Sequence, residues 1–313
     1  MPEVAYHPQA QTIIDMINAG ASTSTSFDDQ SVESTRAGYT GWWALNGPGP
    51  EISEVRDIAI PREGGSIPAR VYRPTENSSA AIVVFFHGGG MVIGSMNDYD
   101  GVARLIADAS GAVVVSVDYR LAPEDPYPAA VQDAWTATQW VAANAADIGG
   151  TAEKLIVAGD SAGGNLAAVV ALKARDEAGP RLALQMLLYP VVDWAGTFPS
   201  IDENGEGNFL TKQTMRWFRH HYLGEDETLW VKPAVSPWYV DDVSGVCPAW
   251  VMTTSHDPLR DEGEAYAARL RDAGVATTAK RVDGVFHAFF GQTNLLELAV
   301  SALADFAAAV KAV

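Results

Sequence analysis

Cysteine is all but missing: Cys247 stands alone among 313 residues, so no intrachain disulfide can form. Its place beside Pro248, ahead of the strand-like run 249–254, suits a small packing residue better than a nucleophile. Basic residues are scarce as well. With 21 Lys and Arg against 39 Asp and Glu, the formal charge is -18 and no basic stripe is available. That balance argues against a nucleic-acid partner and predicts repulsion of anionic substrates. No apolar run approaches the roughly 18 residues of a membrane span. The opening MPEVAYHPQAQTIIDMINAG has no basic region followed by an apolar core, so the chain reads as soluble, cytoplasmic and without a membrane partner. Neither H-E-x-x-H, nor clustered Cys and His, nor paired carboxylates at glycosidase-like positions occur, so a metal is not implied. Internal repeats and low-complexity tracts are absent too.

What is present has a rhythm. Two strand candidates, 54–60 and 69–72, flank the turn signal PREGGS and suggest an antiparallel hairpin. Strand-like runs at 81–86, 112–117, 154–158, 182–188, 249–254 and, more weakly, 278–282 then alternate with helical segments at 98–109, 128–146, 164–178, 261–273 and 295–311. This alternation predicts an α/β fold with a mostly parallel sheet covered by helices. Residues 1–50 read as a helix over 11–18, a Ser/Thr-rich connection (AGASTSTSFDD) and then loop. Between Tyr189 and about Val246 the alternation breaks into aromatics set among polar residues, including Trp194, Phe209 and Phe218. The expected organisation is a core domain over 51–189 and 247–313, with 190–246 inserted as a cap that residues 1–50 help to complete.

Ser161 sits in VAGDSAGGNLA, where an apolar run passes into a glycine-rich stretch and then a helix. Gly-Asp-Ser-Ala-Gly alone is compatible with an ordinary turn. Strand, sharp turn and helix together are the context of a nucleophile elbow, in which Gly159 and Gly163 leave room for a strained serine. Upstream, FFHGGGMVIGS follows a strand directly. The alternative of a phosphate-cradling loop lacks a following GK[ST]. Beside an elbow, the N–H groups of Gly88 and Gly89 could meet an oxyanion, with Ala162 at the helix start as a third donor.

A serine needs a base, and the sequence offers six histidines. Ser, then acid, then His is the order such a sheet imposes, which favours His287 in DGVFHAFF, placed five residues beyond the last strand candidate. His7 and His87 precede the serine, and His87 is better read as a brace for the glycine loop. His220 and His221 lie in the aromatic insertion, and His256 abuts Asp257 along an extended chain, where neighbours point apart. Asp257, ending the penultimate strand candidate, is the expected acid, with Glu262 its substitute; Asp193 and Asp261 read as structural carboxylates. Asp160 is the x of G-x-S-x-G and should point away from the serine, though with Met91 and Tyr189 it is carried as a candidate for the wall of the substrate pocket.

HGGG at 87–90, DYRLAPEDPYPAA at 118–130, GDSAGGNLA at 159–167, YPVVD at 189–193, DPLRDEG at 257–263 and the His287 loop occur in one line, and with them the chain resembles the bacterial hormone-sensitive lipase family of α/β-hydrolase esterases, in its GDSAG subgroup. The resemblance covers most of the chain from residue 50 onward. It implies an eight-stranded sheet with one antiparallel strand near its start, a helical cap, no cofactor, and hydrolysis of small neutral esters with short acyl chains. Amides and other acyl acceptors stay open on the same triad, as does a homodimer. A non-catalytic small-molecule-binding protein of the same fold is a further alternative, disfavoured because some plant hormone receptors that resemble this family lack the catalytic histidine, whereas His287 is present here. Met91 departs from the aromatic residue frequent after HGGG in the family.

Overall fold

The computed structural model describes residues 4–21, 30–76 and 80–313; from residue 22 on, the expected Ser/Thr-rich connection lies outside them. Its strands are β1 (Glu54–Arg62), β2 (Gly65–Arg73), β3 (Ala80–Phe86), β4 (Val113–Val117), β5 (Gly150–Asp160), β6 (Leu184–Leu188), β7 (Ala249–His256) and β8 (Thr277–Phe286). They form one eight-stranded sheet in the order β1-β2-β4-β3-β5-β6-β7-β8. β2 runs antiparallel to both its neighbours, and every later pairing is parallel.

Burial explains which strands were easy to read. β4 and β6 are buried at every position, as expected for strands covered on both faces. β1 and β8 lie at the two edges of the sheet and mix apolar with exposed charged positions. β8 therefore extends to Phe286, beyond the apolar signal at 278–282, and His287 follows the strand directly rather than five residues later.

The main helices are α1 (Pro8–Ala21), α2 (Val32–Ala44), α3 (Asp100–Ser110), α4 (Ala129–Ala143) and α5 (Ala162–Asp176). Between β6 and β7 come α6 (Ser200–Glu203), α7 (Lys212–Leu223) and α8 (Glu227–Trp230), and α9 (Arg260–Asp272) and α10 (Glu297–Lys311) close the chain. α5 is buried almost throughout and made of small residues, so it lies close against the sheet: a Cβ on Gly163 would stand 1.9 Å from the carbonyl oxygen of Phe86. α2 was not anticipated. Ser31 caps it by accepting from the Ser34 N–H at 3.1 Å, and Tyr39 and Trp43 bury its inner face against Tyr99.

The N-terminal helices meet the segment between β6 and β7. Trp42 packs on Phe209 with ring centroids 4.8 Å apart, Asn18 donates to the Gly207 carbonyl at 3.1 Å, and the Tyr6 hydroxyl donates to Asn208. None of the described helices is long and apolar enough to cross a membrane.

Candidate active site

β5 ends at Asp160 and α5 starts at Ala162, leaving Ser161 alone on the turn between them at φ 55° and ψ -118°. A non-glycine residue holds such a conformation only where its surroundings over-determine it. Here the Ser161 N–H donates to Leu188 O of β6 at 2.8 Å, and its carbonyl accepts from Val191 and Asn165. The Asn165 side chain in turn donates to the carbonyls of Val191 and Val235, tying α5 to the chain beyond β6.

The structure brings Ser161, His287 and Asp257 together from three separate loops. His287 Nε2 accepts from Ser161 Oγ at 2.8 Å, and Nδ1 donates to Asp257 Oδ2 at 2.8 Å. Asp257 is fully buried, its other oxygen taken by the Leu259 N–H at 2.8 Å. One oxygen thus remains to orient the imidazole with its proton on Nδ1, leaving Nε2 as acceptor for the serine proton.

The remaining histidines have other partners. His87 Nδ1 donates to Gly88 O at 2.7 Å, and its ring stacks on Tyr119 at 4.4 Å, which fits the brace expected for the glycine loop. His256 stacks on Tyr6 at 3.7 Å, His7 pairs with Glu297, and His220 pairs with Glu225. His221 sets its ring edge-on to Trp217. Glu262, the substitute acid, lies elsewhere: its Oε1 accepts from the N–H groups of Val192 and Asp193, and burial pushes its carboxyl well above the ordinary range.

The glycine loop requires one correction. Gly88 cannot serve as a free donor, because its N–H donates to Asp160 Oδ1 at 2.8 Å. Asp160 Oδ2 accepts from the Tyr99 hydroxyl at 2.9 Å, and Tyr99 meets the Tyr39 hydroxyl of α2 at 2.8 Å. Gly89 and Gly90 line the cavity above Ser161, and among the described residues no protein acceptor takes the N–H of Gly89, Gly90 or Ala162. Gly90 sits at φ 61°, and a Cβ there would fall 2.1 Å from the ring of Phe218, so α7 closes directly over the loop.

A cavity of about 450 Å³ opens on Ser161 and His287. Its walls come from α2 (Tyr39, Trp42) and from the segment between β6 and β7 (Trp194, Phe209, Met215, Phe218). Of the expected wall residues only Asp160 reaches it. Met91 is fully buried at φ 63° with its carbonyl accepting from Ala122, and Tyr189 lies under His287 with ring centroids 4.8 Å apart. Both pack beneath the site rather than around the substrate. Tyr39 and Trp42 escaped the sequence reading because α2 itself did; the GWW string was the available signal. Among the described residues no cluster of three or more His, Cys, Asp or Glu could hold a metal.

Burial pushes the Asp160 carboxyl up from 3.8 to about 6. The protonated form is therefore favoured by folding, and stability held near pH 4 is lost as pH rises toward about 6. Asp160→Asn cannot ionise. Its melting temperature is expected to vary less than that of the wild type between about pH 4 and 6.5, and parallel curves would contradict this coupling.

Residues 83–291 match a family model described as alpha/beta hydrolase fold. The carboxylic ester hydrolase LipN of Mycobacterium tuberculosis is 42% identical over 257 residues, 80% of this chain and 68% of that protein. An ethyl acetate hydrolase of Pseudomonas putida is 33% identical over 304 residues, 94% of this chain and 95% of that one. A hyperthermophilic esterase from the archaeon Pyrobaculum calidifontis superposes with a TM-score of 0.93 at 40% identity, covering 98% of both chains.

Proposed function

The chain belongs to the hormone-sensitive lipase branch of the α/β-hydrolases and is a carboxylesterase, and we propose that it acts on short-chain acyl esters through Ser161, His287 and Asp257. The observation that supports this reading most is the unbroken relay of two 2.8 Å hydrogen bonds ending at a serine that faces a cavity.

Each step follows from a named atom. As Ser161 Oγ attacks the ester carbonyl carbon, its proton passes to His287 Nε2, and Asp257 stabilises the imidazolium. The carbonyl oxygen becomes an oxyanion held by the N–H groups of Gly89, Gly90 and Ala162, the last carried at the positive end of α5. Collapse breaks the bond to the alcohol, which leaves with the proton from His287, and an acyl-Ser161 ester remains. Water then attacks this ester with His287 again as base. The free acid departs and Ser161 regains its proton.

Among the described residues, α2 and the segment between β6 and β7 act as a cap in this scheme and supply much of the cavity wall. α2 does more than cover. Arg36 donates to the carbonyls of Val92 and Ala122 and pairs with Glu124 at 2.8 Å, while Tyr39 reaches Asp160 through Tyr99, so the helix holds the glycine loop from two sides.

A homologous series of nitrophenyl esters, with the matching anilides, tests the reading. We expect kcat/KM to rise with each methylene until the pocket ends and to fall beyond about six to eight acyl carbons, since a closed pocket discriminates by roughly 1–3 kcal/mol per methylene. The anilides should turn over far more slowly. An optimum at long chains, or activation by emulsified triglyceride, would overturn it. Met91→Phe, placed by the structure in the core under the loop, should lower stability and activity on all chain lengths alike.

A further inference from the structure

Lys212, Met215, Arg216 and Arg219 recur at helical spacing along α7, so one face of that helix lines the cavity above Ser161. That face is basic in a chain whose formal charge is -18. Lys212 is paired with Asp202. Arg219 donates to the carbonyls of Trp194 and Ala195 at 3.0 and 3.3 Å, with its guanidinium 3.8 Å from the centroid of the Trp230 ring. Arg216 differs from both. It is exposed, and among the described residues it has neither an ion-pair partner nor a hydrogen bond.

Arg216 acts on a second cation, Arg219. Burial and the charge of Arg216 together push the Arg219 guanidinium below its ordinary value. The carboxylates that line the cavity make their hydrogen bonds elsewhere, Asp160 with Gly88 and Tyr99, and Asp193 with the N–H groups of Ala195 and Thr197 and the Tyr239 hydroxyl, so neither is an ion-pair partner of Arg216. Arg219 feels the carboxylates of Glu225, Asp193 and Glu227, whereas Arg216, at the cavity wall, has no ion-pair partner among the described residues and is open to a bound anion. A guanidinium offers a carboxylate two parallel N–H donors, which fixes orientation as well as charge.

We propose that the preferred substrates of this site are esters bearing a second, anionic group, a carboxylate in the simplest case, which pairs with Arg216 while the ester carbonyl lies at Ser161. The inference rests on the esterase reading above. It reverses the expectation drawn from total charge, because carboxylates farther than about 8 Å are screened at physiological salt whereas Arg216 stands at the cavity itself.

Two substrate series test it. Monomethyl esters of glutaric, adipic and suberic acid place the carboxylate on the acyl side, and acetate esters of ω-hydroxy acids place it on the alcohol side. Each is compared with its terminal carboxamide, which keeps the shape and removes the charge. In at least one series the wild-type kcat/KM should favour the acid by about fivefold, the scale of an exposed ion pair, chiefly through KM and less so as salt is raised. Arg216→Gln should bring that ratio to about one and Arg216→Lys should retain part of it. Arg271→Gln, on α9 and outside the cavity lining, should leave the ratio at the wild-type value. Ratios at or below one in both series, or a preference that survives Arg216→Gln, overturn the proposal while neutral esters still turn over. Failure to hydrolyse any ester, simple acetates included, overturns the esterase reading and this inference with it.

Discussion

Replacing Ser161 with alanine is expected to lower kcat for a short-chain ester by roughly four to six orders of magnitude, because among the described residues Ser161 carries the only hydroxyl hydrogen-bonded to His287. His287→Ala should cost about as much. The double variant should be little worse than either single one, since the hydroxyl is a poor nucleophile without its base and the base has nothing to deprotonate without the hydroxyl. Asp257→Asn should follow with a smaller loss, because an amide can still hold the ring but favours the wrong tautomer. Single-turnover kinetics with a chromogenic ester, together with mass spectrometry of a phosphonate adduct, check these expectations. Strictly additive losses, or a label on a residue other than Ser161, would show that the three do not act as one unit.

The second large effect is on folding. Gly163→Ala puts a methyl 1.9 Å from Phe86 O and 2.7 Å from His87 O, both backbone atoms that cannot swing aside. Either α5 backs away from β3, unseating Ser161 and Ala162 together, or the strand deforms. We expect a loss of at least about 3 kcal/mol, which in a chain of this size lowers the melting temperature by roughly 6 °C or more, and turnover should fall with it. Gly41→Ala supplies the opposite sign. It lies within α2 with nothing inside 4 Å of the added carbon. The methyl should therefore stabilise by about 0.5–1 kcal/mol through the lower entropy of the unfolded chain. Calorimetry on the two variants compares a forbidden methyl with a free one, and equal shifts would contradict the steric account.

How much of this was legible beforehand differs by residue. The buried strands announced themselves, since a run such as AIVVFF has one plausible place in an α/β protein. That Ser161, Asp257 and His287 would meet was readable because strand order fixes where such loops can come together. Local strings stopped short where long-range partners decide the outcome. HGGG cannot say which of its N–H groups faces the cavity; that choice is made by Asp160, 72 residues away, which claims Gly88. Met91 reads as a wall only if the loop is imagined flat, whereas its φ of 63° turns the side chain into the core. α2 carries glycines at 38 and 41 and owes its helical state to packing against Tyr99, a contact no window of sequence contains. Total charge is limited in another way, because a sum over the whole chain is silent about one arginine on α7 that has no ion-pair partner among the described residues.

The spacing of the relay along the chain has a consequence for biosynthesis. Ser161 and His287 are 126 residues apart in sequence. At ribosomal rates of about 5–20 residues per second, the nucleophile is made roughly 6–25 seconds before its base. Throughout that interval the nascent chain holds a serine hydroxyl with nothing to take its proton. On the proposed mechanism Ser161 gains its base only once β7 and β8 have docked on the sheet and brought Asp257 and His287 within reach.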